Sequence, residues 1–164
     1  MAMNKNISLG KIFPPTFRLM AMPLVAVLLI SLLMSSSSHK TTIFIIGDST
    51  AAEKGNYRNY PERGWGMVFQ GCFDDQIIVD NHAVNGRSSK SFLDEGRWQK
   101  ILDKMQPGDY VIIQFGHNDE KKFPDRYTIP GGTFDAHLAK YVNETRQKGG
   151  IPVLMNSVVR RCYY

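Results

Sequence analysis

The sequence predicts an α/β protein: a parallel sheet covered on both faces by helices, the three-layer α/β/α sandwich. Three observations carry this. Four short apolar runs recur between residues 42 and 155. They are continuous in apolar character rather than alternating, as strands buried on both faces are. Between them lie stretches of helical periodicity, the pattern of strands joined by helical crossovers.

The elements follow in order. Thr42 to Ile46 is the first buried strand, ending in Gly47-Asp48. Trp65 to Phe73 reads as a helix, and Gln76 to Val79 as the second strand. Ser88 to Met105 reads as one helix or two short ones, closed by Gln106-Pro-Gly-Asp109. Tyr110 to Phe115 is the third strand. A polar loop from Asp119 to Gly132, carrying Pro124 and Pro130, breaks the alternation. Thr133 then offers an N-cap to a helix whose Phe134, Leu138, Tyr141 and Val142 share one face. Gly149-Gly150 ends it, and Ile151 to Met155 begins the fourth strand.

Residues 1–38 stand apart. Lys5, Lys11 and Arg18, with no acidic residue among them, lead into an apolar run from Leu19 to Met34 and then four serines. This is the layout of a secretory signal. The run has 16 residues, interrupted by Pro23 and Ser31, where spanning a bilayer takes about 20. An uncleaved N-terminal anchor is the competing reading, and the only expected link to a membrane. Either way residues 39–164 form the functional domain, expected outside the cytoplasm: secreted, periplasmic or extracellular.

Charge and cysteine content exclude several classes. From His39 onward the chain carries 17 basic and 15 acidic residues, without a concentrated basic face, so no nucleic-acid partner is expected. Cys72 and Cys162 are the only cysteines. They could pair in an exported protein, but Cys72 sits in an apolar stretch and reads equally as a buried free thiol. With no CxxC or HExxH pattern, no metal and no cofactor are expected.

The polar residues gather at one end of the strands. Gly47-Asp48-Ser49 follows the first, Asn85-Gly86-Arg87-Ser88-Ser89 the second, and Gly116-His117-Asn118-Asp119 the third. Each cluster alone reads as a turn. Three at matching positions converge in the crevice where open α/β sheets bind ligands. Acyl transfer needs a nucleophile, a base and donors aimed at the developing oxyanion. Ser49 on a tight turn supplies a hydroxyl. The N–H groups of Ser49 and Gly86 and the side-chain amide of Asn118 supply donors.

Gly47-Asp48-Ser49, Gly86 and Gly116-x-Asn118-Asp119 together resemble the first three sequence blocks of the SGNH, or GDSL, hydrolase superfamily. The resemblance covers about residues 42 to 160. The runs Gly-Asp-Ser-Thr-Ala-Ala, Gly-Arg-Ser-Ser-Lys-Ser-Phe, Glu-Gly-Arg-Trp and Phe-Gly-His-Asn-Asp are most similar to rhamnogalacturonan acetylesterases, which remove O-acetyl groups from pectic polysaccharide. The resemblance implies a flavodoxin-like fold, Ser49 as nucleophile, and Ser49, Gly86 and Asn118 as the oxyanion hole. It implies an acetylated polysaccharide as partner and a monomer. The superfamily's fourth block, an Asp-x-x-His that supplies the base and its orienting acid, occurs nowhere in these 164 residues. The expectation is therefore a C-terminally truncated chain, missing its last strand and helix, with a catalytic His and Asp absent and little activity of its own. Its fourth strand is then expected at an open edge. An esterase on another acetylated glycan or on lipid, and a non-catalytic carbohydrate-binding relic, are the alternatives.

The remaining candidates have plainer readings. His117, beside Asn118, reads as a residue that steadies its loop, and His137 as a surface residue on a helix. His82 ends the second strand, and His39 precedes the domain. Asp48 reads as a brace of the nucleophile loop. Arg87, Arg97 and Trp98 read as helix packing and surface charge before sugar contact. Tyr57, Tyr60, Arg63 and Trp65 read equally as an aromatic carbohydrate platform or as packing. The Gly47-x-Ser49-x-Ala51 pattern also resembles a nucleophile elbow, but that fold places several strands ahead of its serine. Asn143-Glu-Thr145 is a glycosylation sequon, meaningful only in a eukaryotic host.

Overall fold

The computed structural model describes residues 39–55 and 61–159. The expectations for residues 1–38, Tyr57, Tyr60 and Cys162 lie outside the described residues. Four strands, β1 (Thr41–Gly47), β2 (Ile77–Asn81), β3 (Tyr110–Gln114) and β4 (Ile151–Leu154), form one parallel sheet in the order β2-β1-β3-β4. Among the described residues three α-helices accompany them: α1 (Ser89–Asp94), α2 (Arg97–Lys104) and α3 (Thr133–Gln147). Among the described residues no helix is long and apolar enough to cross a membrane.

The strand order explains the layers. From β1 the chain steps to one side to reach β2, then crosses back over β1 to β3 and continues to β4. Right-handed crossovers running in opposite directions must lie on opposite faces. Successive strand residues point to opposite faces as well, so β1 feeds two cores. Phe44 and Ile46 join Val111, Ile113, Phe92, Ile101 and Tyr141 under the helices. Ile43 and Ile45 join Ile112, Ala51 and Ala52, with Trp65 and Phe69 packed against them.

On that second face the expected helix from Trp65 to Phe73 is instead a pair of 3-10 turns, Trp65–Met67 and Phe69–Cys72. The segment presses against backbone here. A Cβ at Gly66 would lie 2.6 Å from Ala51 O and 2.5 Å from Asn81 Nδ2. Gly66 and Gly71 also weaken a helix in this stretch. Cys72, at the end of the second turn, is a free and exposed thiol rather than a buried one. The turn that carries it offers the core Phe69 and Phe73 and leaves Cys72 outside.

The Ser88–Met105 stretch divides into two helices at Gly96, whose φ of 66° lies in the left-handed region. Ser88 caps α1 by accepting from Ser91 N–H, and the Ser91 hydroxyl oxygen accepts in turn from Ser88 N–H. Thr133 is the first residue of α3 rather than its cap. Its hydroxyl accepts from Ile129 N–H at 2.8 Å, which fastens the preceding loop instead. Phe134, Leu138, Tyr141 and Val142 do share the face turned to the sheet. Asp109, buried at the entrance to β3, accepts from Thr42 N–H and Gln106 N–H, both at 2.8 Å, and so ties that turn to β1. β4 lies at the edge of the described sheet, with Val153 and Leu154 exposed.

Candidate active site

The order β2-β1-β3-β4 places a topological switch point between β1 and β3. There the crossovers diverge to opposite faces and leave a crevice beyond the strand ends. Gly47, the last residue of β1, pairs with Gln114 of β3, and its carbonyl accepts from Val84 N–H beyond β2 at 3.1 Å. The loops after all three strands therefore start from one place.

Ser49 sits at the apex of the β1 loop. Asp48 beneath it is buried; its Oδ1 accepts from Thr50 N–H at 2.9 Å and lies 2.9 Å from the Thr50 hydroxyl. The Asp48 carbonyl accepts from Ala51 N–H and Ala52 N–H. These bonds close a tight turn and leave Ser49 half-buried, its hydroxyl without a hydrogen-bond partner among the described residues. Asp48 thus has the bracing position read from the sequence. Trp65 is a brace too: its Nε1 donates to Gln114 Oε1 at 2.6 Å, and its N–H donates to Thr50 O. The half-buried indole packs against the second core.

The second loop turns at Gly86, whose φ is 77°. A side chain is disfavoured in that region, so glycine is what this turn requires. Lys54, buried, donates to Asn85 Oδ1 at 2.8 Å and ties the segment after the Ser49 loop to this turn. Arg87 and Arg97 both reach Glu95. Burial alone would raise the Glu95 carboxyl, but the two guanidinium groups outweigh it and hold the group below its ordinary value. Trp98 is buried and donates to Glu144 at 2.6 Å. These side chains serve packing and surface charge, as the sequence suggested.

Asn118 is buried, and both ends of its amide are engaged. Nδ2 donates to Arg87 O at 3.0 Å, and Oδ1 accepts from Lys121 Nζ at 2.8 Å. The nitrogen end thus faces the Gly86–Arg87 turn with a second N–H still to give. Asp119 accepts from Ser89 N–H at 3.0 Å and from the Thr128 hydroxyl at 3.0 Å, and the Ser89 hydroxyl donates to it as well. Burial pushes the Asp119 carboxyl above its ordinary value against these bonds.

His137 is not the surface residue its helical position suggests, because α3 turns its ring toward Ser89, with Nδ1 3.2 Å from Ser89 Oγ. The Ser89 hydroxyl gives its proton to Asp119, so His137 Nδ1 is the donor in that pair. His117 bonds Val158 O through Nε2 and holds the segment after β4, in line with a loop-steadying part. His82 Nε2 lies 2.9 Å from Asp80. The bonds around Lys54, Lys121, Ser89 and Thr128 were not anticipated from sequence; only spatial proximity reveals them.

A cavity of about 380 Å³ opens beside this cluster, between Glu120, Thr128, Pro130, Phe134 and Ser157, on the β3–β4 side of the crevice. Among the described residues no three His, Cys, Asp or Glu side chains gather as a metal site would require. What the crevice offers is a serine hydroxyl, a left-handed glycine turn and an oriented carboxamide, the groups that acyl transfer uses.

Comparison with known proteins agrees with this chemistry. Residues 45–163 match the GDSL-like lipase/acylhydrolase family. A probable rhamnogalacturonan acetylesterase of Bacillus subtilis (strain 168) is 42% identical over 74% of this chain and 55% of its own length. A rhamnogalacturonan acetylesterase of the same organism is 43% identical over 73% of this chain and 50% of its own. The chain spans about half the length of these relatives. Among solved structures, the protein YxiM of B. subtilis superposes with a TM-score of 0.60 at 26% identity, over 72% of this chain and 33% of that one. The psychrotrophic esterase EstA of Pseudoalteromonas sp. gives 0.53 at 26%, over 70% of this chain and 58% of that one. By sequence and by fold, the chain belongs to the GDSL-like lipase/acylhydrolase family.

Proposed function

We propose that this chain carries the nucleophile and the oxyanion hole of a serine esterase that removes O-acetyl groups from pectic polysaccharide of the rhamnogalacturonan type. The observation that carries the reading is the unpartnered Ser49 hydroxyl at the sheet's switch point, on a loop that starts beside those carrying Gly86 and Asn118. Ser49 Oγ attacks the acetyl carbonyl and releases the sugar hydroxyl. The tetrahedral oxyanion is met by the N–H groups of Ser49 and Gly86 and by the Asn118 amide. Water then releases acetate from the acetyl-enzyme. Proton transfer needs a histidine held against Ser49. Among the described residues His82, His117 and His137 are directed to Asp80, Val158 and Ser89. The names of the two B. subtilis relatives support the substrate class. A polysaccharide substrate also fits export directed by residues 1–38.

The reading is tested by acetate release from acetylated rhamnogalacturonan, acetylated xylan and a short-chain aryl ester, using a protein in which the Asp-x-x-His block is present, with Ser49 intact beside Ser49→Ala. Ser49-dependent release, strongest from rhamnogalacturonan, is expected. Release that Ser49→Ala leaves untouched would sink the nucleophile assignment. Release from xylan alone would sink the pectic substrate. Binding of the polymers without Ser49-dependent release would instead favour a carbohydrate-binding protein.

A further inference from the structure

The loop from Lys121 to Tyr127 holds groups that the esterase reading leaves unused. Phe123 and Tyr127 are 57% and 38% exposed, a large aromatic area for one short loop to leave in solvent. With Lys122 and Pro124 they line an open recess of about 400 Å³. Arg126 lies over the Phe123 ring, its guanidinium carbon 5.3 Å from the centroid. Asp125 takes one edge of that guanidinium, at 3.2 Å from Nε and 2.8 Å from Nη2. Nη1, on the other edge, has no hydrogen-bond partner among the described residues. It is also the atom that faces the oxyanion turn: a Cβ at Gly86 would lie 3.9 Å from it.

Two requirements of one ligand class are met together. The apolar C–H face of a pyranose packs on an aromatic ring, and a planar guanidinium edge matches a carboxylate. The ring and Asp125 hold Arg126 in place, so little side-chain freedom is lost when it binds. Resting on the esterase reading above, we propose that Lys122, Phe123, Arg126 and Tyr127 form a subsite for a uronate residue of the polysaccharide, its ring on the aromatic shelf and its carboxylate on Arg126. A chain seated there runs past Gly86. Specificity for an acidic polymer then comes from this loop, and a neutral sugar leaves the Arg126 edge unused.

Titration of trigalacturonate and xylotriose into the ¹⁵N-labelled chain tests this, in wild type, Arg126→Gln and Phe123→Ala. Trigalacturonate is expected to move the amide resonances of Gly86 and of residues 121–127. Arg126→Gln should weaken that binding about ten- to a hundredfold, the worth of a charge-assisted bond. Added salt should weaken it too, and xylotriose should bind far less. Unchanged resonances elsewhere show that each variant is folded. Equal affinity in wild type and Arg126→Gln, no shift in the loop, or xylotriose binding as tightly as trigalacturonate overturns the proposal. Ester hydrolysis, compared with and without Ser49→Ala in a protein that carries the Asp-x-x-His block, is read separately. Arg126-dependent binding without Ser49-dependent hydrolysis leaves the subsite standing and the esterase reading fallen; the reverse pair of results removes only the subsite.

Discussion

At the scale of single residues, two lysines each cap the carbonyl end of an asparagine beside the candidate oxyanion hole: Lys54 on Asn85 and Lys121 on Asn118, both at 2.8 Å. A carboxamide can turn end for end, and only one of the two orientations donates to an oxyanion. The ammonium on Oδ1 decides the orientation and polarises the amide toward donation. In a protein that carries the Asp-x-x-His block, Lys121→Met is expected to lower kcat for an aryl acetate by about tenfold, below the hundred- to thousandfold cost of deleting a donor outright. KM should hardly change, and Lys121→Arg should recover part of the loss; steady-state kinetics check this.

Asp119 gives a pH prediction whose sign follows from burial. Its folded-state pKa is raised, so folding takes up a proton between the ordinary carboxylate value of 3.8 and the raised one. Its contribution is most favourable at the acid end of that window and is lost as pH rises through it. Denaturation of wild type and Asp119→Asn at a series of pH values should show the stability difference moving against wild type as pH rises. Ser49, Gly86 and Asn118 were legible as candidates because each lies in a short motif. Lys54, Lys121 and Arg126 were not, because a lysine or arginine in a polar loop has the same local signature whether it holds an oxyanion donor or faces solvent.

At the scale of elements, the strands were readable because burial on both faces leaves continuous apolar runs. The helix boundaries were less so. The one-or-two question over Ser88–Met105 is settled by Gly96, which starts α2 from a left-handed φ of 66°. Gly96→Ala should therefore cost about 1–2 kcal/mol, the usual penalty of that conformation for an L-residue. A lower denaturation midpoint with an unchanged slope would show it. The Trp65–Cys72 segment has helical periodicity yet forms 3-10 turns, since the core needs its aromatic rings while the Ala51 backbone sets the approach. Asp109 looks like an ordinary turn residue in sequence. Its bonds to Thr42 and Gln106 N–H make Asp109→Ala a loss of about 1–3 kcal/mol, because two donors lose their partner.

At the scale of the whole molecule, the order β2-β1-β3-β4 decides where chemistry can happen, and β4 decides where the described sheet is vulnerable. Val153 and Leu154 stand exposed on an edge strand, the arrangement that invites pairing with another chain. Val153→Lys is expected to reduce concentration-dependent association measured by light scattering, while circular dichroism stays the same. Equal association in both proteins would place the contact elsewhere.

The sequence by itself determined the parallel α/β class, the four strands and the three loops from which any site must be built, because strand burial and turn chemistry are written in neighbouring residues. It also determined the family, since the Gly47-Asp48-Ser49 and Gly116-x-Asn118-Asp119 motifs keep their order and spacing. Only the tertiary structure decided which side chains serve those loops. Lys121 on Asn118, His137 on Ser89, Trp65 on Gln114 and Arg126 beside Gly86 are pairings across loops or elements. They depend on strand order and helix rotation, and no local pattern in the chain encodes them.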